Sequence, residues 1–104
     1  MTAEAAVNNS WGELPGAELV SVGLDALERG EPTVEALLVA IGASRLRHAG
    51  LDVPALPGIQ EPELALYSTL CKAEKVDAHS AYNALIRRLV SFERALEARV
   101  TRPR

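Results

Sequence analysis

Few side chains in this sequence could do chemistry. Cys71, His48 and His79 are its only soft or imidazole groups, so a zinc site or a thiol–imidazole pair would need them together. Their spacing fits no ligand or nucleophile pattern, and each has an ordinary explanation. Cys71 falls on the apolar side of a predicted helix, where a free thiol behaves as a small buried hydrophobe. His48 falls in the last turn of another, where the helix dipole favours a cation, and His79 follows a helix cap. The sequence therefore predicts no catalytic residue, no metal ligand and no cofactor site.

Two groups of cations could hold anions instead. Arg45, Arg47 and His48 cluster at the end of a predicted helix and could meet a phosphate or an acidic partner. However, a two-residue step turns a helix by about 200°, so Arg45 and Arg47 cannot face the same way. Arg87 and Arg94 lie seven residues apart on one outer helix face, flanked by Arg88 and followed by Arg102 and Arg104. Such a stripe could follow a phosphate backbone. Glu93 and Glu97 interrupt it, no aromatic side chains interleave it, and the net charge of the chain is −3. A nucleic-acid accessory role or a small anion-binding module is thus an alternative, not the leading expectation.

These groups must be carried by helices. Ala, Leu, Glu and Arg dominate, and strand formers never alternate over a useful length. From Asp77 to Val100, apolar residues recur at Ala78, Tyr82, Leu85, Leu89, Phe92 and Leu96, a four-three rhythm that only a long helix gathers into one stripe. Upstream, Pro15 suits the first turn of a helix bearing Leu19, Val20, Leu24 and Leu27, which Gly30 ends. Thr33 caps a second, with Glu35 in its first turn and Val34, Leu37, Leu38, Ile41 and Leu46 on its apolar side, running to about His48. Gly23 and Gly42, with Ala36, Ala40 and Ala43, offer small surfaces on which these two helices could approach closely. Pro54, Pro57 and Gly58 forbid a helix from Leu51 to Glu61, while Leu51, Val53, Leu56 and Ile59 are too apolar to be left in water; the segment is a packed crossover or a docking strip. Pro62 opens a third helix ending near Lys75, with Leu64, Tyr67, Leu70 and Cys71 on one side, and Asp77 caps the fourth.

The 104 residues suit one core. The expectation is an all-α, four-helix bundle of two antiparallel helical hairpins joined by a Pro-rich crossover. Residues 1–12 form a flexible arm that Trp11 anchors, and residues 13–104 a single helical domain. A lone cysteine, no signal-like N-terminus and no apolar run long enough for a bilayer point to the cytoplasm. The acidic first half (Glu4, Glu13, Glu18, Asp25, Glu28, Glu31, Glu35) and the arginine-rich last helix can attract within a chain or between chains. The expected function is protein–protein interaction, as a homodimer or with another protein. Its interface is Tyr82, Leu85, Leu89, Phe92 and Leu96, and the overhanging end of the last helix, around Leu96 and Val100, is covered by a second chain.

Overall fold

A computed structural model describes residues 11–73 and 77–101 of the chain. The described residues are all-helical and contain no strand. Five helices follow in order among the described residues: α1 Ala17–Glu28, α2 Val34–Ile41, α3 Ala43–His48, α4 Pro62–Ala73 and α5 Ala78–Thr101. The body of the predicted arm, residues 1–10, lies outside the described residues, as do Arg102, Arg104, the predicted end of the third helix at Lys75 and the side chain of Val100.

The caps form where the side chains can make them. Thr33 Oγ1 accepts the Ala36 amide at 3.1 Å, and Asp77 Oδ1 accepts the His79 amide at 3.1 Å, each satisfying a donor left over at a helix start. The first helix begins two residues later than Pro15 implied. Gly16 precedes it with φ of 81°, and a Cβ there would come 2.9 Å from the Arg88 carbonyl oxygen. The backbone of α1 thus enters against α5 in a conformation and a space that only glycine fits.

The predicted second helix is two. Gly42 ends α2 and starts α3, and its missing side chain leaves room for the Glu93 carboxylate and Leu89 of α5. Of the two glycines expected between the first helices, only Gly23 serves there, its face lying against the Glu35 carbonyl and Val39 of α2. The eight residues of α2 are apolar nearly all round, and Ala36, Leu37, Leu38 and Val39 are buried in succession. A short helix without a polar side belongs at the centre. It packs against α1, α4 and α5.

The core consequently has two parts on either side of α2. Ala36 and Val39 join Ala17, Val20, Leu27, Leu46, Val53, Phe92 and Leu96 in one. Leu37 and Leu38 join Leu66, Leu70 and Leu89 in the other. Trp11 meets Phe92 edge-on at 5.4 Å between ring centroids, which ties the start of the described chain to the first part. The crossover is packed: Val53 is buried, and Leu51, Leu56 and Ile59 are half-buried against the core.

Candidate functional site

The stripe on α5 is largely spent on the chain's own core. Phe92 is fully buried, Leu89 and Leu96 are buried, and Tyr82 and Leu85 are half-buried against the second core part. Leu96, placed by the sequence on an overhang awaiting a second chain, is instead covered within the chain by the core part containing Leu46, Ala49 and Val53. Leu46, four residues past the break at Gly42, belongs to the same core part.

The arginine cluster on α3 is also committed. Arg45 donates from Nε and Nη2 to both oxygens of Glu97, at 2.9 and 2.7 Å, and from Nη1 to Glu93 Oε1 at 3.0 Å. This fork holds the Glu97 carboxyl below the usual carboxylate range. Glu93 is only 3% exposed, and burial pushes its carboxyl up, with Arg45 opposing that shift. Arg47 turns the other way and donates from Nε and Nη2 to the Val53 carbonyl oxygen at 3.0 and 2.8 Å, fastening the crossover to α3. His48 is exposed beside them. The three residues therefore do not converge on an anion pocket: Arg45 and Arg47 are structural clasps.

On α5, Arg88 donates to Glu18 Oε2 of α1 at 2.6 Å. The Glu18 carboxyl is held low first by its own backbone amide and then by Arg88. Arg87 and Arg94 are exposed. Of the three described members of the expected stripe, two thus face solvent and Arg88 is drawn into an ion pair. His79 packs its ring nitrogen against the Asn83 amide on α5, and no group of three or more His, Cys, Asp or Glu side chains is assembled for a metal among the described residues.

The surface that sequence reasoning missed lies on α4. Leu66 and Leu70 are buried, whereas Leu64 is 61% exposed, Tyr67 38% exposed, and Cys71 exposed rather than buried. The helix carries two apolar stripes, one at 66 and 70 and one at 64, 67 and 71, each with helical spacing. Leu37 and Leu38 of α2 cover the first. The earlier grouping of Leu64, Tyr67, Leu70 and Cys71 mixed the two.

Tyr67 meets Tyr82 of α5 edge-on at 5.9 Å between centroids, and Leu64 continues the patch toward the start of α4. Glu61 and Glu63 rim the shallow groove these residues line. Burial, and then the Glu63 carboxylate, push the Tyr82 phenol up, so it stays protonated and able to donate at physiological pH. The arrangement offers an apolar, aromatic contact area with an acidic edge. No protein-family model, no curated protein and no solved structure matches the chain.

Proposed function

We propose that this chain acts by protein contact, as a small helical module whose docking face is Leu64, Tyr67 and Tyr82. The observation that carries the reading is the 61% exposure of Leu64 next to an aromatic pair, on a helix whose other apolar stripe already satisfies the core. Exposed single apolar residues are ordinary; a leucine continuous with two tyrosines is the composition of a contact area. In this reading the chain is a bundle of two antiparallel helical hairpins, and α5 contributes to the interface through Tyr82 and not through Phe92 or Leu96.

A photo-crosslinking residue tests it. Benzoylphenylalanine in place of Leu64 is expected to trap discrete protein adducts in cells, while the same residue in place of Val22, also apolar and exposed, traps none. Absence of adducts at position 64, or the same adducts at both positions, would overturn the reading.

A further inference from the structure

We infer that the groove between α4 and α5 takes a segment of another protein in which an apolar side chain is flanked by arginine or lysine. The apolar side chain seats on Leu64 and Tyr67, and the cation meets Glu61 and Glu63. The inference rests on the contact reading above and adds the chemistry of the partner. Spacing explains how the groove is built: Glu63, Leu64 and Tyr67 are neighbours on one face of α4, since residues three and four apart adjoin on a helix. Glu61 stands at the mouth of that helix, its carbonyl oxygen accepting the Ala65 amide at 3.0 Å. Tyr82 completes the groove from α5, meeting Tyr67 edge-on. Glu61, Glu63, Leu64 and Tyr67 are all exposed, and neither carboxylate has an ion-pair partner among the described residues.

The dipole of α4 favours a carboxylate in its first turn and would by itself explain an acid at position 63. It does not dispose of the charge: after burial, Glu63 is what pushes the Tyr82 phenol up, so the field of this carboxylate is felt inside the groove. Whatever covers Leu64 and the tyrosines also takes water from the carboxylates at the rim. A neutral or acidic occupant leaves them desolvated without compensation, whereas a cationic one replaces the lost water with charge-assisted hydrogen bonds. Arginine suits the place best, because its planar head can fork onto a carboxylate and lie against an exposed tyrosine ring. The same rim argues against other occupants. A second copy docked groove to groove would gather four carboxylates, and an anionic membrane or a nucleic acid would be repelled by two. Charge selects the cation, and Leu64, 61% exposed, selects the apolar side chain beside it.

Panning a random peptide library displayed on phage against the purified chain tests the inference. Enriched peptides are expected to carry arginine or lysine within a few residues of a leucine or an aromatic, and to lose binding to Leu64→Ser. Their affinity for the double variant Glu61→Gln with Glu63→Gln is expected to fall about tenfold. All three positions are exposed, and circular dichroism checks that the variants keep their helix content. Peptides that need Leu64 but lack basic residues, or that bind the double variant as tightly as the parent, would overturn the cationic partner and leave the contact reading standing. A library that yields no Leu64-dependent peptide would also overturn the inference, while the contact reading is judged separately, by adducts at position 64.

Discussion

The buried ring of Phe92 and the paired carboxylates of Glu93 and Glu97 lie within six residues of one another and respond to mutation in different ways. Phe92→Ala removes a fully buried ring that Trp11 meets edge-on, and is expected to cost about 3 to 5 kcal/mol in urea denaturation. Glu93 binds its proton more tightly folded than unfolded, because burial raises its pKa. Its contribution to stability is present in acid and is lost as pH rises through the folded value. Glu97 has the opposite sign: Arg45 depresses its pKa, so its contribution is present above the ordinary carboxylate value and is lost as pH falls through the folded one. Glu93→Gln should therefore gain on the parent as pH rises above the glutamate range, while Glu97→Gln should fall behind it at neutral pH and converge with it in acid. Denaturation curves measured across that range check both signs. The apolar rhythm made Phe92 legible, since periodicity marks a core position whatever its neighbours are. The Arg45 fork was not, because its partners lie 48 and 52 residues away and meet only through the folded chain.

At the scale of the helix, local chemistry was readable and choice of face was not. Thr33 and Asp77 cap helices because their short side chains reach the free amides of the next turn, a property that does not depend on the rest of the fold. Gly42 could equally have been a small residue inside one longer helix; the Glu93 carboxylate and Leu89, seated where its side chain would be, show why it is a glycine. Similarly, the two stripes on α4 are both helical in spacing, and only the position of α2 decides that Leu66 and Leu70 go inward. The close approach of α1 and α2 at Gly23 gives a sharp prediction. Gly23→Ala places a methyl against the Glu35 carbonyl and Val39 and should destabilise by about 1 to 3 kcal/mol despite the better helix propensity of alanine. A gain in stability in thermal or urea unfolding would contradict that packing.

For the molecule as a whole, the ion pairs join distant parts of one chain: Arg88 of the last helix pairs with Glu18 of the acidic first half, whereas Arg45 pairs with the two acids of the last helix itself, Glu93 and Glu97. Arg87 and Arg94 stay exposed, but an acidic chain whose stripe is interrupted by Glu93 and Glu97, with Arg88 engaged by Glu18, offers little to a phosphate backbone. The protein is expected to pass unretained over immobilised nucleic acid at low salt; retention abolished by Arg87→Glu with Arg94→Glu would instead revive the stripe as a binding face. No helix among the described residues is long and apolar enough to cross a membrane.

The contact between Trp11 and Phe92 has a spectroscopic consequence. With a single indole in the sequence, emission excited at the red edge of protein absorbance comes from one environment, the core part that holds Phe92 and Leu96. Tyr82 packs against the other core part and meets Tyr67, which is exposed on α4. Unfolding that begins at one of these two regions would therefore separate the indole signal from the phenol signal in time, with no label attached.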